Sequence, residues 1–73
     1  MIGVYYLWDG SEVIYIGSSH AVEKRISAHR STRLDFAGYF VDEYPPNTSK
    51  VELLALEASA IREFNPKLNE CMT

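Results

Sequence analysis

Polar residues fall at two places in the sequence where chemistry could use them. Glu57 recurs with Leu54, Ile61 and Phe64 at steps of three, four and three, which on a helix aligns its carboxylate with residues that pack inward. An ionised carboxylate left unpaired in apolar surroundings is prohibitively costly. Glu57 therefore holds a cation, pairs with an arginine, or sits at the edge of the packed face. Arg25 and His29 are four residues apart and share one flank of an earlier helix, beside Val22 and Ile26. A guanidinium fork and an imidazole that exchanges protons near neutral pH suit the gripping of a phosphate and phosphoryl chemistry. They suit an ordinary solvated surface pair equally well.

Tyr5, Tyr6 and Tyr15 occupy strand-like runs, where aromatic residues mostly serve packing. For one of them to take a proton from water at neutral pH, its phenol pKa, ordinarily ~10, has to be lowered by a nearby cation. His20 reads as a cap or surface residue, and nothing in the sequence around Cys71 would activate its thiol.

The elements that must position these groups follow from pattern. Ile2 to Leu7 and Val13 to Ile16 are short β-branched and aromatic runs, and Asp9-Gly10 between them tolerates the positive φ of a hairpin turn. Ser18 and Ser19 offer caps to a helix whose apolar residues Val22 and Ile26 recur at helical spacing through about Arg33. Phe36 to Tyr44, closed by Pro45-Pro46, predicts a third strand. Ser49 with Glu52 forms a capping box for a helix carrying Leu53, Leu54, Leu56, Ala60, Ile61 and Phe64, which stops before Pro66. Lys67 to Thr73 reads as irregular. The order is β-β-α-β-α with no repeat or linker, an α+β fold in which a small antiparallel sheet meets two helices.

Bulk properties set the frame. A chain of 73 residues forms a single domain, 1–73, and at this size folding buries only ~60% of the surface exposed by the unfolded chain. The 47% apolar content, with nine aromatic residues, is that of a folded protein. One cysteine makes neither an internal disulfide nor a zinc site, which fits a reducing, cytoplasmic setting. The apolar run from Met1 ends at Asp9, far short of the ~20 residues that span a bilayer, so no membrane partner is expected.

The net charge of −3 seems at odds with a polyanionic partner, but its distribution is uneven. Lys24, Arg25, Arg30 and Arg33 give a local +4 with no acid among them, leaving −7 for the rest. Such a basic face would hold a few phosphates while the acidic remainder limits non-specific binding; the plain alternative is a solvated helix surface.

Gly3-Val4-Tyr5 followed by Tyr15-Ile16-Gly17 resembles the paired tripeptides that name the GIY-YIG nucleases, with Val in place of the first Ile. The resemblance runs nearly the whole chain. Arg25 stands where the family has a helix arginine ten residues after the second tyrosine, and His29 stands four further on. Glu57 matches the metal-binding glutamate of a late helix, and Asn69, after Asn65-Pro66, matches the asparagine beyond it.

What the resemblance implies is a minimal, stand-alone catalytic domain: a three-stranded antiparallel sheet flanked by helices that hydrolyses phosphodiester bonds. Glu57 would hold one Mg²⁺ or Mn²⁺, Tyr5 with His29 would accept the proton of water, and Arg25 would stabilise the phosphoryl charge, while Tyr15 and Asn69 orient the site. Lys24, Arg30 and Arg33 are the expected nucleic-acid contacts, with DNA favoured over RNA. The stretch between His29 and the third strand is short, so a helix often found there is expected to be reduced or missing. Family members usually carry separate DNA-binding or partner domains, so targeting here would come from a protein partner or a homodimer. Two other readings compete. One is a catalytically silent module that binds nucleic acid or a protein partner; the other is a structural domain that docks through its third strand or last helix, with Tyr39, Phe40 and Tyr44 exposed.

Overall fold

Asp9 and Gly10 close the first hairpin, as their residue types predict. Gly10 takes φ 103°, and Asp9 Oδ1 accepts hydrogen bonds from the amides of Ser11 and Glu12, both at 2.9 Å. The computed structural model, which describes residues 1–31 and 36–70, joins the two flanking strands, β1 (Gly3–Trp8) and β2 (Val13–Ser19), antiparallel across this turn. β2 runs three residues beyond the end expected at Ile16. Gly17, Ser18 and Ser19 pair with Tyr5, Val4 and Gly3, so cross-strand pairing along the full length of β1 overrides their weak strand preference. The register shifts once, between Leu7 and Trp8, and leaves Ile14 opposite no residue of β1.

The chain continues through α1 (Val22–Ser31), β3 (Gly38–Glu43), α2 (Lys50–Phe64) and α3 (Lys67–Glu70). β3 pairs antiparallel with the other side of β1, giving one sheet in the order β2-β1-β3. The end of α1 predicted near Arg33 lies outside the described residues, as does Cys71. Among the described residues no helix is long and apolar enough to cross a membrane.

Alternation along β1 divides the core into two layers. Tyr5 and Leu7 face α1 and pack with Ile14, Val22 and Ile26, while Val4 and Tyr6 pack with Ile16 and with Ala60 of α2 on the other side. Both layers are apolar, so the central strand is buried on both faces from Gly3 to Leu7.

Ser49 caps α2 through its hydroxyl, which accepts from the Glu52 amide at 3.1 Å. Asn65 ends the helix in the left-handed region at φ 48°, its amide donating to Ile61 O at 2.7 Å ahead of the buried Pro66. The inward stripe of α2 differs from the one expected. Leu54 and Phe64 are half exposed, whereas Leu53 and Ala60 are buried. Several adjacent apolar residues permit more than one helical phase, and the approach to Ile16 selects this one. Glu57, four after Leu53 and three before Ala60, remains on the inward stripe and is half-buried. The tail also departs from expectation: residues 67–70 form a helical turn, because Leu68 packs under the α1-side core and Asn69 bonds to β2.

Candidate active site

A cleft of about 420 Å³ opens at β2, the edge strand, between α1 and α2. Tyr5, Tyr15 and Gly17 form its floor, Arg25 one wall, and Ser18, Glu57 and Lys50 the other. Gly17 makes this geometry possible. It lies opposite Tyr5 in the register, and a Cβ there would collide with the phenol ring and oxygen, so only glycine lets the Tyr5 ring cross β2.

The Tyr5 oxygen thereby reaches α1, where it lies 3.0 Å from Nε2 of His29 and beside the Arg25 guanidinium, whose influence lowers its pKa against the effect of burial. Because the guanidinium beside the phenol oxygen can only donate, we assign the phenol hydrogen to His29 Nε2 as acceptor. That makes His29 the neutral tautomer with its proton on Nδ1. Its ring also stands edge-on to Tyr15, with centroids 4.9 Å apart. The Arg25–His29 pair is thus no mere solvated surface pair: both side chains converge on one phenol.

The electrostatics match this assignment. Burial, followed by the charge of Arg25, holds the His29 pKa below its ordinary value and keeps the ring neutral. Burial also raises the Tyr5 pKa; the Arg25 guanidinium opposes it without overcoming it, and the Tyr15 phenol adds to the rise. The lowering that the sequence predicts for a catalytic tyrosine does not occur, because Tyr5 is fully buried and desolvation outweighs a single cation. Tyr5 is a neutral phenol already bonded to a proton acceptor. The charge of Glu57 adds a smaller rise to the pKa of both Tyr5 and Arg25, so the carboxylate lies within electrostatic reach of the pair.

Across the cleft, Glu57 Oε1 accepts a 2.7 Å hydrogen bond from Ser18 Oγ. Ser18 had been read as a helix cap. Instead, the strand extends past it, and its hydroxyl orients the carboxylate; the capping bond comes from Ser19 Oγ, which accepts from the Ala21 amide at 2.9 Å. Among the described residues no three His, Cys, Asp or Glu side chains gather. One half-buried carboxylate with a hydroxyl behind it suits a hard divalent cation that keeps most of its water, and does not suit zinc.

Asn69 acts from behind the floor. Its Oδ1 accepts from the Ile16 amide at 2.8 Å and its Nδ2 donates to Ile16 O at 3.0 Å, so one amide replaces a neighbouring strand between Tyr15 and Gly17. Lys24 and Arg30 are exposed on α1 and do not line the cleft; Arg30 lies over the Phe36 ring at 5.0 Å. Arg33 lies outside the described residues. Lys50, which the sequence reading left without a part, does line the cleft, and His20 Nε2 lies 3.3 Å from Thr48 O at its far end.

A hairpin that presents two tyrosines to a helix arginine and histidine, with a glutamate helix closing from the other side, is the arrangement expected from the paired motifs, and the chain has the GIY-YIG fold. It superposes on the GIY-YIG N-terminal endonuclease domain of UvrC from Thermotoga maritima, solved with its catalytic magnesium, at a TM-score of 0.72. The match covers 90% of this chain and 80% of that one at 20% identity, and a point variant of the same domain gives 0.71. In sequence the chain is 38% identical to UvrABC system protein C of Rickettsia bellii and of Rickettsia typhi, over 92% of its own length. It spans 12% of the length of these curated relatives. No protein-family model matches it.

Proposed function

We propose that the chain is a metal-dependent endonuclease domain that hydrolyses phosphodiester bonds in nucleic acid, DNA rather than RNA, with one Mg²⁺ or Mn²⁺ held at Glu57. The observation that carries this reading is the meeting of Tyr5, Arg25 and His29 at one phenol oxygen, with the Glu57 carboxylate near enough to bias them. The endonuclease domain of the Thermotoga relative, with its catalytic magnesium, supports it.

Tyr5 receives a proton from the attacking water as it passes its own to neutral His29 Nε2, so no free phenolate has to form. The water oxygen bonds to phosphorus, the bond to the leaving sugar oxygen breaks, and no covalent intermediate arises. Arg25 leaves the phenol for the non-bridging oxygens of the phosphate, where its charge stabilises the transition state and its departure opens the buried Tyr5 oxygen to water. Tyr15 packs against His29 and Asn69 holds the Ile16 backbone, so both keep the floor in place. A divalent ion bound at Glu57 supplies Lewis-acid polarisation of the phosphate and offsets charge on the leaving oxygen.

Nicking of supercoiled plasmid, with RNA and DNA oligonucleotides in parallel, tests this for wild type and Glu57→Ala in Mg²⁺, Mn²⁺ and EDTA. Cutting that needs both metal and Glu57 is expected. The burial of Tyr5 favours one second reading, a silent module that binds without cutting, and binding with no metal-dependent cleavage selects it.

A further inference from the structure

The cleft is longer than one phosphate needs. Its floor follows β2 from Tyr15 to Ser19, about 13 Å at the usual strand rise. Tyr5, Arg25 and Glu57 occupy only part of that length. Beyond them, the wall is formed by His20 and Lys50, neither of which has a part in the reaction described above.

Lys50 begins α2 and Glu57 follows seven residues later, so the two share a helix face, two turns or about 10 Å apart along the axis. That exceeds the reach of a single phosphate. The Lys50 ammonium makes no ion pair among the described residues, although the chain is acidic overall. The chain leading into α2 is anchored just ahead of it: the His20 imidazole meets Thr48 O at 3.3 Å, Thr48 is buried, and its amide donates to Pro45 O at 3.0 Å. A cation at the start of α2, on the same helix face as the reacting carboxylate and lining the same cleft, fits a polyanion that passes along β2.

We propose that Lys50 binds the backbone phosphate neighbouring the scissile one, so that the substrate strand runs along β2 from the Arg25 end of the cleft to the Lys50 end. This rests on the nuclease reading and assigns Lys50 to substrate grip and not to chemistry. A point charge on a flexible stem suits that task, since it neutralises a phosphate without demanding one geometry.

Binding of a labelled DNA oligonucleotide, duplex and single-stranded, is measured by fluorescence anisotropy in EDTA across a salt series, and cleavage kinetics are taken separately in Mg²⁺. Lys50→Ala is expected to reduce the slope of log K against log salt by ~0.9 on duplex or ~0.7 on single strand, as loss of one phosphate contact does. KM should rise several-fold with kcat within twofold, and Lys50→Arg should restore both. Lys67→Ala, a charge-matched change on α3 outside the cleft, should leave all of them unchanged. Wild-type binding with an unaltered slope in Lys50→Ala overturns the subsite alone. Wild type that binds no nucleic acid overturns both this inference and the nuclease reading.

Discussion

The Tyr5 phenol oxygen lies 3.0 Å from His29 Nε2, a bond between β1 and α1 that spans 24 residues of chain. Because burial lowers the imidazole pKa and favours the neutral ring, this bond joins a phenol donor to an imidazole acceptor inside the sheet–helix interface. In the proposed reaction it sets the direction in which a proton leaves the cleft.

A pH profile follows from that bond. His29 accepts only when neutral, and its pKa is held below 6.5, so the acid limb of the cleavage rate should lie below 6.5. Stability carries the same sign. The unfolded imidazole titrates near 6.5 and the folded one lower, so the unfolded chain binds more protons in that window; stability is full above about 6.5 and falls as pH drops through it. His29→Gln should flatten the stability curve between pH 5 and 7 in urea melts and lower the rate by ~10²- to 10⁴-fold. An acid limb above 6.5 would exclude His29 as the acceptor.

Ser18→Ala removes the hydrogen bond that orients Glu57. Partners of this kind are worth ~10- to 100-fold in metal affinity or activity, so Mn²⁺ titration by calorimetry should show that weakening with an unchanged fold by circular dichroism. Ser18→Thr, which keeps the hydroxyl, should retain most of the affinity. Equal metal binding by wild type and Ser18→Ala would leave the serine a purely structural residue.

Gly17→Ala forces a methyl into the Tyr5 ring. Overpacking of this kind costs ~1–3 kcal/mol, read as a lower urea midpoint. The cost should shrink in a Tyr5→Leu background, where the ring is gone. The same loss in both backgrounds would show that the clash is not with Tyr5.

On the opposite face, Tyr6 donates to Asp42 Oδ2 at 3.0 Å and stacks on Phe40 with centroids 4.9 Å apart. Burial first, then the bond to Asp42 and its charge, push the Tyr6 pKa up to about 12. A raised folded pKa contributes stability that is complete below the unfolded value of ~10 and is lost as pH climbs through 12. Absorbance titration of tyrosinate should show a late component near 12, and Tyr6→Phe should abolish it.

The sequence alone carried the three strands, the turn and the two ends of α2, because each is written in local chemistry. Asp9-Gly10 tolerates the turn, Ser49 supplies an oxygen to an orphan amide, and Asn65 accepts the left-handed backbone before Pro66. It also exposed Glu57 as a carboxylate on an inward stripe, since helical periodicity needs no knowledge of what lies opposite. The tertiary structure decided whatever depends on approach between distant segments. Leu53 and Ala60 rather than Leu54 and Phe64 turn inward, with Ala60 packed on Ile16, a choice that neighbouring apolar residues leave open. Ser18 meets Glu57 across 39 residues, and Lys50 reaches the cleft only because α2 packs alongside β2. The direction of the Tyr5 pKa likewise had to await the fold, for it is a balance between burial and the Arg25 guanidinium, and burial is a property of the assembled core.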